Sequence, residues 1–70
     1  MQRQHVSSSD IDSIGYDTDS HTLEIEFLSG GIYQYLNVSE SIFHGFISAS
    51  SHGSYFHQHI KDKYNFRKIR

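Results

Sequence analysis

The 70-residue sequence contains no cysteine, so no disulfide staples the fold and a thiolate metal site is excluded. Long apolar runs are missing too. The opening residues, MQRQHVSSSD, lack the apolar segment of a signal peptide, and no stretch approaches the ~20 residues needed to cross a bilayer. A soluble chain without membrane association, in the cytoplasm, is the expectation. Catalytic signatures are equally scarce. The 12 serines include no G-x-S-x-G elbow, and Gly30-Gly31 is not followed by the fingerprint of a phosphate loop. There is no internal repeat and no linker-like stretch. These absences argue against an enzyme and imply no cofactor.

What is present is aromatic. Five Phe and five Tyr join a set of Ile and Leu. Ordering a chain of this length costs on the order of 100 kcal/mol, at ~1.5 kcal/mol per residue, so most of these side chains must be buried. The sequence is read as a single domain over residues 1–70, with an ordered core of about 6–64 between a polar N-terminus and a basic C-terminal tail. Charge is unevenly spread. Residues before position 41 sum to −6, with Arg3 the single cation among them, whereas residues 61–70 sum to +4 through Lys61, Lys63, Arg67, Lys68 and Arg70 against Asp62. Such a tail suits phosphates or an acidic partner.

The clearest pattern is Thr22-Leu23-Glu24-Ile25-Glu26-Phe27-Leu28, which alternates apolar and polar as a strand with one buried face does. Ile14 to Asp17 forms a strand before it, across the turn-forming Asp17–His21 segment. Ser29-Gly30-Gly31 leads into a third strand, from Ile32 to Asn37. The period then changes to about 3.6. Ile42, Phe43, Phe46 and Ile47 share a helical face, with Asn37 or Ser39 as N-cap and Glu40 early in the helix. A second helix is capped by Ser50 or Ser51 and presents Phe56 and Ile60, while the last six residues are expected to fray. The fold class is therefore α+β, a three-stranded antiparallel β-meander followed by two helices packed on one face.

Six histidines raise a metal site, but the spacing opposes it. His57 and His59 point about 200° apart on a helix, and His52 and His59 lie ~10 Å apart along its axis. Glu24 and Glu26 share a strand face, and solvent exposure explains them more simply than acid-base chemistry. Tyr33 and Tyr35 depend on register. A two-residue hairpin loop places both rings on the open face beside Glu24 and Glu26, whose charge repels phosphates; a bulged or three-residue loop turns both inward as core.

Val6-x-Ser8, Ile14-Gly15-Tyr16-Asp17, Leu23-x-Ile25-x-Phe27, Gly30 followed by Tyr33-x-Tyr35, Val38, Ser51-x-Gly53-x-Tyr55-Phe56 and Ile60-Lys61 together resemble the KTSC domain. That family is named for the C-terminal extension of some lysyl-tRNA synthetases and also occurs as small stand-alone proteins. The likeness spans roughly residues 6–64; Ser39 stands where the family often has proline. The resemblance implies a non-enzymatic module associated with RNA, either tRNA or single-stranded, and carries no aminoacylation activity. On this reading Lys61, Lys63, Arg67, Lys68 and Arg70 meet phosphates, and Tyr33 or Tyr35 stacks on a base. The alternative is a protein-interaction module that uses the open sheet face or an edge.

Overall fold

In the computed structural model, which describes all 70 residues, the chain forms β1 (Arg3–His5), β2 (Ile11–Asp17), β3 (Thr22–Phe27), β4 (Ile32–Tyr35), α1 (Glu40–Ile47), α2 (His52–His59) and β5 (Phe66–Lys68). The strands make one antiparallel sheet in the order β1-β2-β3-β4-β5. The α+β class stands, but the sheet has five strands where three were expected. The two additional strands are three residues each and lie at the edges. Arg-Gln-His and Phe-Arg-Lys contain too few apolar residues to display a period of two. Backbone pairing and charged side chains hold them in place. The C-terminal residues, expected to fray, bond to β4 instead: the Ile69 N–H donates to the Ile32 carbonyl at 2.7 Å, and the Ile32 N–H to that of Arg70 at 3.2 Å.

Leu23 and Ile25 of β3 face the helices and are fully buried, as their alternation requires. Ile14 pairs with Ile25, while Ile11 pairs with Phe27 because the register slips by one residue between Ile11 and Ser13. That bulge lets both isoleucines of β2 reach the same side of the sheet. Val38, Phe46, Phe56 and Ile60 close over them to complete the core. Ser39 caps α1 by accepting from the Ile42 N–H, and Ser51 caps α2 by accepting from the Ser54 N–H. Each cap satisfies a backbone donor that the helix itself cannot.

The β3–β4 hairpin decides the orientation of the tyrosines. The Phe27 N–H donates to the Gly31 carbonyl and the Gly30 N–H to the Phe27 carbonyl, both at 2.9 Å. The loop is therefore Leu28-Ser29-Gly30, three residues, with Gly30 at φ 107°. Glycine alone adopts that backbone without steric cost. Leu23 consequently pairs with Tyr35 and Ile25 with Tyr33, so both rings lie on the helix side of the sheet.

Candidate functional site

The sheet face away from the helices carries a polar ladder. Arg3 donates to Glu24 at 2.6 Å, to Glu26 at 2.8 Å and to Ser13 at 3.1 Å. Gln34 donates to Glu24 at 2.8 Å and accepts from Arg67 at 2.9 Å, while Arg70 reaches the second oxygen of Glu26 at 3.1 Å. Gly15 makes room for this arrangement, since a β-carbon there would stand 2.8 Å from the Gln2 carbonyl oxygen and 2.9 Å from Cγ of Arg3. The two glutamates expected to face water are thus covered by guanidinium groups. Arg67 and Arg70, expected to meet phosphates, point to this face and are engaged by the protein's own side chains.

On the helix side, α1 and α2 leave the β4–β5 corner of the sheet uncovered. A groove of about 320 Å3 opens there, lined by Phe27, Tyr33, Tyr35, Phe56 and Phe66 together with Ser29, Lys61 and Asp62. Strand pairing brings Phe66 opposite Tyr35 and Lys68 opposite Tyr33. The Phe66 ring centroid is 5.8 Å from that of Tyr33 and 5.6 Å from that of Tyr35, and the Lys68 ammonium stands 5.9 Å from the Tyr33 centroid. These are distances at which aromatic and cation–π attraction operate.

The tyrosines differ in role. Tyr35 is 6% exposed and joins the core, held edge-on against Phe56 with centroids 5.7 Å apart. Burial, aided by the neighbouring Tyr33 and Asp62, pushes its hydroxyl up to about 12. Tyr33 is half-buried and contacts Phe27 edge-on at 5.6 Å. The inward register therefore makes Tyr35 core but leaves Tyr33 as part of the groove wall. Phe66 is 55% exposed, an uncovered aromatic on an otherwise polar edge strand.

Of the residues singled out from the sequence, Tyr33, Tyr35 and Lys61 line this groove, and Lys68 stands over the Tyr33 ring at its edge. Lys63 lines a neighbouring hollow with Leu36, Tyr64 and Phe66. The sequence does not single out Phe66; it marks Phe27 and Phe56 as buried-face residues and Asp62 as the one acid of the basic tail, none of them as part of a site. The one signal for Phe66 is its place two residues before Lys68, which in a strand sets ring and cation on one face and Arg67 on the other. A larger hollow of about 520 Å3 near the start of α2 is lined by Ser7–Asp10, Ser50–Ser54, His57 and Gln58, with no apolar residue. With no apolar or aromatic side chain in its lining, it lacks the apolar walls that ligand pockets usually have. No group of three or more His, Asp or Glu side chains is arranged to hold a metal ion, and no helix is long and apolar enough to cross a membrane.

Comparison with known proteins places this geometry in a family. The sequence model of the KTSC domain matches residues 7–64. An uncharacterised protein of Stutzerimonas stutzeri is 36% identical over 64 residues, covering 91% of this chain and 90% of its own length. A lysine–tRNA ligase of Nostoc punctiforme is 36% identical over 59 residues, which span 84% of this chain but 10% of the ligase. The crystal structure of a KTSC domain protein from Yersinia pestis superposes with a TM-score of 0.96 at 54% identity, covering 99% of this chain and 97% of that one. Aromatic corner, capped helices and five-stranded meander are thus those of a member of the KTSC domain family, to which this chain belongs.

Proposed function

We propose that the chain is a small, non-enzymatic RNA-binding module that holds unpaired nucleotides, in tRNA or in single-stranded RNA, in the groove between β4, β5 and the end of α2. It acts as one domain, in the cytoplasm. The observation that carries this reading is the open groove where Tyr33 and Phe66 meet beside Lys61, with the Lys68 ammonium over the Tyr33 ring. Aromatic faces for bases and cations for phosphates are what a single-strand site combines. Tyr33 and Phe66 stack, Tyr35 supports them from the core, and Lys61 and Lys68 neutralise phosphates, with Lys63 extending the cationic track. The match to a segment of lysine–tRNA ligases supports an RNA ligand. Because the chain spans 10% of that ligase, nothing of the ligase reaction is implied.

Fluorescence anisotropy with a labelled single-stranded RNA at low salt tests the proposal. Phe66→Ala and Tyr33→Ala are each expected to weaken binding by roughly 5- to 150-fold, the value of one base–aromatic stack of ~1–3 kcal/mol. Arg67→Ala, on the opposite face, is expected to leave binding intact. Absence of binding at low salt overturns the proposal. A second reading, protein docking at a sheet edge, is favoured by one observation: β1 and β5 each pair on one side only. Sedimentation that stays monomeric at high concentration argues against self-association through those edges.

A further inference from the structure

Asp62 is the anomaly of the groove. It sits in a cationic stretch, between Lys61 and Lys63, yet it forms no ion pair with either and accepts no hydrogen bond within the chain. Asp62 lies exposed in the turn after α2, where it borders both the aromatic groove and the neighbouring hollow and is near enough for its charge to act on Tyr35; its backbone is held in the left-handed region at φ 62°. A free negative charge here weakens the hold of Lys61 and Lys68 on phosphates. A part of the ligand that donates hydrogen bonds would offset that cost. A cationic ligand such as a methylated lysine also suits aromatic rings beside a carboxylate, but Lys61 and the Lys68 ammonium over Tyr33 repel it.

We infer that the groove selects guanine, with the Asp62 carboxylate accepting hydrogen bonds from the N1–H and N2 amino group of an unpaired guanine stacked against Tyr33 and Phe66. The inference rests on the RNA-binding reading and deepens it. An ionised carboxylate only accepts, and its two oxygens match two adjacent donors. Guanine alone offers that pair on its Watson–Crick edge. Adenine and cytosine set one amino group beside a ring nitrogen whose lone pair faces the carboxylate. Uracil flanks its single N–H with two carbonyl oxygens. The electrostatic conflict between Asp62 and phosphate thereby becomes a filter: the charge is tolerable when a guanine satisfies it and costly when another base occupies the groove.

The test uses anisotropy with three labelled oligouridylates of equal length: one all uridine, one with a single central guanosine, and one with inosine, which lacks the N2 amino group, in the guanosine's place. The full chain is expected to prefer the guanosine strand by about tenfold, as a two-bond base contact does, and inosine is expected to lose most of that preference. Asp62→Asn, which tolerates the same left-handed backbone, is expected to bind the all-uridine strand at least as well as the unaltered protein and to show a reduced preference. Equal binding of the guanosine and uridine strands overturns the guanine inference while leaving RNA binding intact. So does a preference undiminished by inosine or by Asp62→Asn. Failure of the unaltered protein to bind any of the three strands at low salt overturns RNA binding itself, and base selection with it.

Discussion

Tyr33 and Tyr35 are two residues apart on one strand and share a sheet face, yet neighbouring groups give them different work. Phe56 and the helix-side core close over Tyr35, whereas Tyr33 stays open toward Phe66 and Lys68. The consequence for Tyr35 is measurable. Its folded-state hydroxyl titrates at about 12 against an ordinary 10.0, because burial disfavours the phenolate. Between those values the unfolded chain releases a proton that the folded chain keeps, so stability falls as pH rises from about 10 toward 12 and is unaffected below that window. Urea unfolding across that range is expected to show a decline that Tyr35→Phe reduces, and absorbance near 295 nm is expected to show a late tyrosine step missing from the variant. The sequence narrowed the ring orientation to two outcomes tied to loop length. Gly30-Gly31 alone did not choose between them, because either glycine suits a tight turn; the backbone pairing of Phe27 with Gly31, which leaves Leu28-Ser29-Gly30 as the loop, supplies the choice.

Among the elements, the central strands and both helices were legible because burial writes a period into the sequence: two for Leu23-x-Ile25-x-Phe27, about 3.6 for Ile42, Phe43 and Phe46. The edge strands were not. β1 and β5 are held by pairing with β2 and β4 and by guanidinium contacts, interactions that leave no hydrophobic rhythm. The arginines that secure them are unequal. The Arg3 side chain is 27% exposed and bridges two carboxylates, whereas that of Arg70 is 66% exposed and reaches one. Arg3→Ala is expected to lower stability by about 1–3 kcal/mol, the range for hydrogen bonds to partly buried charges. Arg70→Ala, a screened surface pair, is expected to cost less than ~1 kcal/mol. Urea midpoints at an unchanged m-value distinguish the two. A larger effect from Arg70→Ala would contradict the assignment of Arg3 as the main fastener.

Across the molecule, the sheet divides the C-terminal charge that the sequence displays as one block. Lys61 and Lys68 flank the aromatic groove, while Arg67 and Arg70 turn to the opposite face and serve Gln34 and Glu26. The sequence revealed that a basic segment exists, but alternation in β5 separates Arg67 from Lys68, and beyond the strand Arg70 turns back to Glu26. Salt dependence reads this partition. For single-stranded RNA, Lys61→Ala and Lys68→Ala are each expected to flatten the plot of log affinity against log salt by about 0.7, one phosphate contact apiece, while Arg70→Ala leaves the slope unchanged. Equal flattening by all three would place RNA on both faces and contradict the groove. The ladder face has a further consequence, for the order of assembly. Strands β1 to β4 pair as successive hairpins, which close early and rapidly, whereas β4 and β5 meet only across both helices; most of the sheet is thus built from local pairing. Glu26 departs from that pattern, holding Arg3 through one oxygen and Arg70, 44 residues ahead, through the other. One carboxylate beside the central hairpin is therefore a latch that can engage both ends of the chain only after the rest of the sheet has formed.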